Sequence, residues 1–328
     1  MALMAVRCGG QPHPGPDPIA DPPTLTCPAD QQAIASQGRL PTVAFDVPVA
    51  QGGQAPVTVT CSPGPGSVFN LGDTGVTCTA NDGLARTAAC SFIVSVSQPP
   101  LLAATRLVAF GDSITEGVTS PSPTILTLNL PDSYPLKLQL LLSARYTDQT
   151  IEVFNEGCSG EFVNRSSVHC PGALKRLPGV LRNDTPQVML LLHGANDLLQ
   201  GKASAVSTIV GALEKMVSMA QDRGVRVYVA TFPPQDPAGS RGAGAPYLPE
   251  LNRKIAAMAA DEGATLVDLF NGLGGSPVGV IGADGLHPTP AGYQMIAQIW
   301  ADALEATLEQ QPPPPTLTLT RGRETRKK

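Results

Sequence analysis

From residue 103 onward, short continuous apolar runs alternate with longer amphipathic stretches. The apolar runs predict buried strands at residues 106–110, 151–155, 188–192, 225–229 and 264–268. The amphipathic stretches predict helices around residues 133–145, 172–182, 203–222, 246–262 and 290–309. Five mostly apolar strands separated by helices are typical of a parallel sheet that is covered on both faces. The pattern therefore predicts an α/β domain over residues 103–309.

The segment from residue 25 to residue 98 has a different period. Short β-rich runs at 57–61, 75–79 and 90–96 alternate between polar and apolar positions and are separated by Gly, Pro and Asn-Asp-Gly turns. The Asn-Asp-Gly sequence at 81–83, followed by an alternating run, is a hairpin signal. The segment is predicted to be a small all-β sandwich.

The two ends of the chain have the composition of linkers. Residues 1–24 are rich in Pro, Gly and Asp and are interpreted as an N-terminal remnant and an extended linker. Cys8, followed by two glycines, resembles the start of some bacterial lipoproteins, although Arg7 departs from that pattern; a lipid anchor at Cys8 is one hypothesis. Residues 310–328 contain a run of prolines and a basic end, which predicts a disordered tail.

Composition excludes several classes of protein. Charged residues make up only 15% of the chain, whereas a coiled coil is rich in charged helix formers, and the 33 glycines do not recur at every third position as collagen requires. The formal net charge of −5 gives no support to a nucleic-acid partner. No apolar stretch approaches the roughly 20 residues of a membrane span.

The seven cysteines indicate an oxidising compartment. Four of them lie between residues 27 and 90, at Cys27, Cys61, Cys78 and Cys90, and none has the CxxC spacing of a metal or redox site. Disulfides are the favoured interpretation, with buried free thiols as the alternative, and the spacing leaves all three pairings of these four open. Cys158 and Cys170 are expected to pair with each other because the loop between them is short enough to close. Export to the cell surface or beyond is therefore predicted.

Polar residues follow the ends of the predicted strands, where an open α/β sheet gathers its reactive groups. The four segments are 111–115 (Gly-Asp-Ser-Ile-Thr), 155–160 (Asn-Glu-Gly-Cys-Ser-Gly), 194–197 (Gly-Ala-Asn-Asp) and 284–289 (Asp-Gly-Leu-His-Pro-Thr). Each segment alone is compatible with an ordinary turn or helix cap. Their occurrence together at the ligand-facing edge of one sheet favours a catalytic site.

These segments contain the parts of a serine hydrolase. Ser113 is the candidate nucleophile, His287 its base, and Asp284 the acid that orients the imidazole. The backbone N–H of Ser113, the backbone N–H of Gly157 and the side-chain amide of Asn196 are the candidate oxyanion donors. Asp112, Asp197 and His193 are expected to shape turns or to pack. No metal cluster or phosphate-binding glycine loop is apparent, so neither a cofactor nor a metal is predicted.

Residues 104–309 resemble the SGNH (GDSL) hydrolase family, in its lysophospholipase and arylesterase-like branch. The residues that carry this resemblance are Ser113, Gly157, Asn196 and His287. The resemblance implies a flavodoxin-like three-layer sandwich with a five-stranded parallel sheet, and ester hydrolysis through an acyl-serine. The segment from residue 25 to residue 98 resembles the HYR (hyalin repeat) modules, through its opening Leu-Thr-Cys-Pro and its closing Cys-Ser-Phe-Ile-Val. That resemblance implies an immunoglobulin-like fold with an adhesive or spacer role, and contact with a surface or glycan.

Three functions are compatible with this reading. The leading hypothesis is a secreted serine esterase that acts on small or medium carboxylic esters, whether small molecules, polysaccharide esters or lipid esters. An acyltransferase with the same nucleophile and a catalytically silent adhesion or carbohydrate-binding protein are the alternatives. No lid rich in bulky apolar residues is evident in the sequence, so an interfacial lipase is less favoured.

Overall fold

The structure, a computed structural model, describes residues 20–36 and 38–312 of the 328. The lipid-anchor hypothesis at Cys8 and most of the two terminal segments lie outside the described residues. The described chain forms two compact units, which meet in sequence between Gln98 and Pro99. No helix in the described part of the chain is both long and apolar enough to pass through a bilayer.

The first unit is a small β domain, as the alternating pattern predicts. Its strands are β1 (Gln31–Ile34), β2 (Thr42–Val43), β3 (Thr58–Ser62), β4 (Ser67–Val68), β5 (Gly72–Asn81) and β6 (Thr87–Ser97). One sheet has the order β1-β6-β5-β3, with β1 parallel to β6 and the other pairs antiparallel, and β2 pairs separately with β4. Val43 of β2 packs into the same core as Val76 and Phe92 of the larger sheet. Two layers thus enclose one small core.

Two disulfides cross-link this small β domain, and the structure shows how the four cysteines pair. Cys27 bonds to Cys90, and Cys61 bonds to Cys78. The second disulfide joins directly opposed positions of β3 and β5. A core of this size buries little apolar surface, so cross-links contribute a large part of its stability.

The second unit is an α/β domain with a parallel five-stranded sheet. The strands of this sheet are β8 (Arg106–Gly111), β11 (Glu152–Gly157), β12 (Val188–Leu192), β13 (Arg226–Ala230) and β14 (Thr265–Val267). Their order in the sheet is β11-β8-β12-β13-β14, which is the 2-1-3-4-5 order of flavodoxin-like folds. The five strands coincide closely with the predicted apolar runs. The flavodoxin-like fold class is confirmed.

Helices cover the sheet on both faces. They are α1 (Ser113–Glu116), α2 (Tyr134–Arg145), α3 (Ala173–Asp184), α4 (Ala195–Gly201), α5 (Ala205–Gln221), α6 (Leu248–Asp261), α7 (Leu269–Gly272) and α8 (Pro290–Leu308). Helix α2 packs against α8, where Trp300 stacks on Tyr134, and α5 packs against α3 and α6. All five residues of β12 are buried between these layers, which explains the continuous apolar run that marks this strand.

Two antiparallel pairs were not predicted. Strands β9 (Val118–Ser122) and β10 (Ile125–Leu128) form a hairpin after α1. Strand β7 (Leu101–Leu102) pairs with β15 (Glu309–Gln310), so residue 310 belongs to the domain although the sequence placed it in the tail. At the other end, Thr24 exchanges backbone hydrogen bonds with Gln51, so the extended segment joins the β domain before residue 25.

Candidate active site

Ser113 is the first residue of α1 and follows the C-terminal end of β8 directly. Asp112 caps this helix by accepting the N–H of Ile114 at 3.1 Å. A side chain at Gly111 would lie 2.3 Å from the carbonyl oxygen of Leu192, so only glycine fits where the strand turns into the helix. The turn thus presents the serine hydroxyl at the carboxyl edge of the sheet.

His287 and Asp284 complete a hydrogen-bonded chain to the serine. Ser113 Oγ lies 2.9 Å from His287 Nε2, and His287 Nδ1 lies 2.6 Å from Asp284 Oδ2. All three side chains are buried. Because a carboxylate only accepts hydrogen bonds, Nδ1 carries the proton and Nε2 is left to accept the proton of the serine hydroxyl. This is the arrangement that general-base activation of a serine requires.

The environment of Asp284 keeps it ionised. Burial raises the pKa of this carboxyl, but hydrogen bonds from the imidazole of His287 and from the backbone N–H groups of Leu286 and His287 outweigh burial and lower the pKa. Arg241 Nε also lies 3.7 Å from Asp284 Oδ2. An ionised Asp284 stabilises the imidazolium that forms when His287 takes a proton.

The hairpin β9–β10 supports the loop that carries the acid. Ser120 Oγ accepts the N–H of Asp284 at 2.9 Å, and the carbonyl oxygen of Ser120 accepts the N–H of Ala283 at 3.0 Å. Tyr293 on α8 donates to the carbonyl oxygen of Val118 at 2.6 Å. Sequence reasoning missed Ser120, and a Ser-Pro-Ser-Pro run carries no signal that distinguishes it from an ordinary loop.

Asn196 lies in the first turn of α4, after the end of β12. Its Nδ2 donates to the carbonyl oxygen of Glu161 at 3.0 Å. Because an amide nitrogen carries two hydrogens, the second remains available to a developing oxyanion. Within the described residues, the N–H of Ser113 likewise has no hydrogen-bond acceptor.

The turn beside Asn196 comprises residues 158–161. Glu161 N–H donates to the carbonyl oxygen of Cys158 at 3.1 Å, and Gly160, at the third position, has φ of +77°. This is the conformation that a type II turn requires, and it favours glycine there. Among the described residues, the N–H of Gly160 has no acceptor. Residues 158–161 are called the oxyanion turn below.

The structure gives Gly157 a different role from the one its sequence position suggested. Its N–H donates to Asn155 Oδ1 at 3.0 Å, so it is already engaged. A side chain at Gly157 would lie 2.1 Å from the backbone nitrogen of Glu116, so glycine allows α1 to pack closely on β11. Among the described residues of this segment, the N–H of Gly160 is without an acceptor, and the sequence analysis did not single out this glycine.

A disulfide braces the oxyanion turn. Cys158 bonds to Cys170, as the short loop between them predicts. Of the described residues, only Cys158, Glu161 and Cys170 group as possible metal ligands, and the disulfide leaves neither sulfur as a thiolate. Of the two remaining histidines in this region, His169 is exposed and His193 is buried.

Residues 109–295 match the model of the GDSL-like Lipase/Acylhydrolase family, a span of more than half of the chain. The chain belongs to this family. It is a GDSL hydrolase that acts on carboxylic esters, and residues 20–96 match the HYR domain.

Curated relatives agree with this assignment, and a solved structure agrees with the fold. The GDSL hydrolase is 30% identical over 164 residues to esterase TesA of Pseudomonas aeruginosa, covering 49% of this chain and 74% of that protein. It is 28% identical over 202 residues to an arylesterase of Vibrio mimicus, covering 62% of this chain and 89% of that protein. The crystal structure of a lipase/acylhydrolase from Enterococcus faecalis superposes with a TM-score of 0.53 at 22% identity, covering 63% of this chain and 98% of that one, which supports the fold.

Proposed function

We propose that this GDSL hydrolase is a secreted or cell-surface serine esterase that cleaves small or medium carboxylic esters through an acyl-enzyme on Ser113. The observation that carries the proposal is the hydrogen-bonded chain from Ser113 Oγ through His287 to Asp284, with distances of 2.9 and 2.6 Å. A serine hydroxyl is a weak nucleophile unless a positioned base removes its proton.

In the first half of the reaction, Ser113 Oγ bonds to the ester carbonyl carbon and its proton passes to His287 Nε2. The carbonyl oxygen becomes an oxyanion, which accepts hydrogen bonds from the N–H groups of Ser113 and Gly160 and from the free Nδ2 hydrogen of Asn196. The tetrahedral adduct then collapses. The bond from carbon to the alkoxy oxygen breaks, His287 returns its proton to that oxygen, and the alcohol leaves.

In the second half, water takes the place of the alcohol. His287 accepts a proton from the water as the water oxygen bonds to the acyl carbon, and the same donors stabilise the second oxyanion. Collapse breaks the bond to Ser113 Oγ, which regains the proton from His287. The products are a carboxylic acid and the free enzyme.

Secretion is supported by the disulfides, and a surface role by the β domain. Six cysteines form three disulfides in the described residues, and such bonds persist in oxidising compartments outside the cytosol. The HYR match supports a spacer or adhesive role for residues 20–96, with a surface or a glycan as the partner.

The hairpin β9–β10 supports an apolar acyl group in the substrate. Residues 118–131 contain no charged side chain, and the aliphatic side chains of Ile125, Leu126, Leu128 and Leu130 are exposed. Ser120, in the middle of β9, is hydrogen-bonded to the loop of Asp284. Exposed aliphatic groups next to a catalytic loop are suited to contact an acyl chain.

The test is a panel of p-nitrophenyl esters from acetate to dodecanoate, assayed beside acetylated xylan, with Ser113→Ala as the control. We expect wild-type turnover of the acetate-to-octanoate esters, labelling of wild type by a fluorophosphonate probe, and neither with Ser113→Ala. Turnover that persists in Ser113→Ala would contradict the proposed nucleophile. Ester formation with an added alcohol in preference to free acid would favour an acyltransferase.

A further inference from the structure

A buried group of ionisable side chains lies beneath the oxyanion turn and takes no part in the steps above. The carboxylate of Glu161 accepts hydrogen bonds from Arg176 Nε at 3.0 Å and from Arg176 Nη2 at 2.7 Å. It also lies 3.0 Å from His193 Nε2, and the side chains of Glu161 and His193 are fully buried. Because the carboxylate only accepts, Nε2 of His193 is the donor.

Arg176 joins three segments that carry the site. Besides Glu161, its Nη2 donates to the carbonyl oxygen of Gly111 at 3.3 Å and to that of Glu156 at 3.0 Å. Its Nη1 contacts the carboxylate of Glu156 at 2.9 Å. The guanidinium lies 4.3 Å from the ring centre of Phe110. One planar cation thus holds the end of β8, which leads into Ser113, together with the end of β11 and the oxyanion turn.

The backbone of Glu161 connects this group to two oxyanion donors. Its N–H closes the turn on Cys158, and this closure fixes the backbone of Gly160. Its carbonyl oxygen accepts one of the two Nδ2 hydrogens of Asn196, so the other hydrogen has a defined direction. A displacement of Glu161 would therefore move both the Gly160 N–H and the Asn196 amide.

We infer that Glu161, held by Arg176 and His193, is a positioning residue for the oxyanion hole; the inference rests on the proposed function. Donors stabilise an oxyanion only when they lie about 2.7–3.1 Å from its final position, so small shifts of the oxyanion turn reduce transition-state stabilisation. Buried ion pairs contribute little net stability compared with apolar replacements of the same shape. Stability alone therefore does not account for a buried carboxylate at this position, whereas the placement of two donors does.

The test compares Glu161→Gln and Arg176→Lys with the matched surface change Arg145→Lys. Glu161→Gln keeps the shape but removes the charge, and Arg176→Lys keeps the charge but cannot reach all three segments. Arg145 forms an exposed pair with Glu309, at 2.6 Å, so Arg145→Lys controls for an arginine-to-lysine change in the same domain. Each protein is assayed on p-nitrophenyl butyrate at a temperature where circular dichroism shows it folded.

We expect Glu161→Gln and Arg176→Lys to lower kcat by about 10- to 100-fold with KM changed by less than about twofold, and Arg145→Lys to change neither. The affinity of a boronic acid that forms a tetrahedral adduct on Ser113 should fall by a factor similar to that in kcat. If Glu161→Gln does not fold, Arg176→Lys provides the same comparison.

A double-mutant cycle with Asn196→Ala distinguishes positioning from a general structural effect. If Glu161 positions both donors, Glu161→Gln should lower kcat by a smaller factor in the Asn196→Ala background than in wild type, because only its effect on the Gly160 N–H remains there. An equal factor in both backgrounds, or a kcat of Glu161→Gln within twofold of wild type, would overturn the inference while the esterase stands. A wild-type protein without esterase activity would overturn both.

Discussion

Asp112 and Ala195 are joined by a hydrogen bond of 3.1 Å from the N–H of Ala195 to Asp112 Oδ2. Asp112 precedes Ser113, the proposed nucleophile, and Ala195 precedes Asn196, a proposed oxyanion donor. The same carboxylate caps α1 through its other oxygen. One buried side chain therefore sets the distance between the attacking oxygen and a group that stabilises the charge it creates.

Replacement of Asp112 by Ala should consequently damage turnover more than substrate binding. We expect kcat to fall by about 100-fold, because a displacement of roughly 1 Å between reacting groups has an effect of that size. The loss of the cap should also lower stability by about 1 kcal/mol. Steady-state kinetics and thermal unfolding measure the two effects. Asp268→Ala, which removes the cap of α7, is the control and should lower stability without a comparable fall in kcat.

The hydrogen bonds from Ser113 through His287 to Asp284 lead to a second prediction. Ser113→Ala and Asp284→Asn should each lower kcat by about 10⁴-fold, the first by removing the nucleophile and the second by allowing the wrong tautomer of His287. The combined variant should be little worse than Ser113→Ala alone, since the two residues act as one unit. Single-turnover kinetics with a p-nitrophenyl ester measures these factors. If the double variant lost the product of the two single factors, the two residues would not act as one unit.

The sequence predicted the sheet, and it placed the candidate site residues together because parallel strands bring their carboxyl ends to one edge. Ser113 and Asn196 each lie just after such an end, so their proximity could be inferred without coordinates, whereas His287 lies in the later loop between α7 and α8. The choice between Gly157 and Gly160 could not be made in this way. It depends on which N–H is already bonded, and the side chain of Asn155 decides that only in three dimensions.

Two other features depended on three-dimensional neighbours in the same manner. Cys78 lies opposite Cys61 on one side and opposite Cys90 on the other, so strand patterns alone allow either bond. The hairpin β9–β10 contains Pro121 and Pro123, which weaken the strand signal in the sequence. Its pairing is therefore found only in the structure, where Ser120 of β9 is also hydrogen-bonded to the loop of Asp284.

The disulfide between Cys158 and Cys170 should affect catalysis as well as stability. Replacing both cysteines by Ser is expected to lower the free energy of unfolding by about 3 kcal/mol, the value for a closed loop of roughly this length. It should also lower kcat more than it raises KM, because the oxyanion turn carries donors that act on the transition state. The matched change of Cys61 and Cys78 to Ser should destabilise the β domain and leave kcat unchanged. Equal effects of the two changes on kcat would contradict a role of the Cys158–Cys170 disulfide in positioning the oxyanion turn.

Asp82 makes the stability of the β domain depend on pH. Burial raises the pKa of its carboxyl, but hydrogen bonds from the backbone of Gln54, from the side chain and backbone of Arg86 and from the backbone of Leu84 outweigh burial and lower the pKa to about 2. The pKa is thus lower in the folded than in the unfolded chain, where it is about 3.9. The stabilisation is complete above the unfolded value and is lost as the pH falls towards 2.

Asp82→Asn should therefore weaken the β domain strongly at pH 6 and progressively less towards pH 2. Trp300 and all five tyrosines lie in the α/β domain, so their fluorescence does not report on the β domain. Amide hydrogen exchange of peptides from β5 and β6, corrected for the intrinsic rate, measures the difference at each pH. A constant difference between the variant and wild type from pH 6 to pH 2 would show that the charge of Asp82 is not responsible.

The aliphatic side chains of the β9–β10 hairpin should determine acyl-chain preference. Leu126 is the least exposed of Ile125, Leu126 and Leu128 and is still 42% exposed, so replacing it and Leu128 by Gln should disturb the fold little. Each methylene that an acyl chain buries contributes about 0.8 kcal/mol, so contacts with two leucines are worth about a tenfold change in kcat/KM for an octanoate ester. The acetate ester has no longer acyl chain to contact them and should be hydrolysed as in wild type. Leu140→Gln on α2, 62% exposed in the native protein, is the matched control. The ratio of kcat/KM for octanoate to that for acetate is therefore the quantity to measure: it should fall about tenfold in the hairpin variant and stay constant in the control. A parallel fall for both esters would mean that the hairpin acts on the loop of Asp284 and not on the substrate.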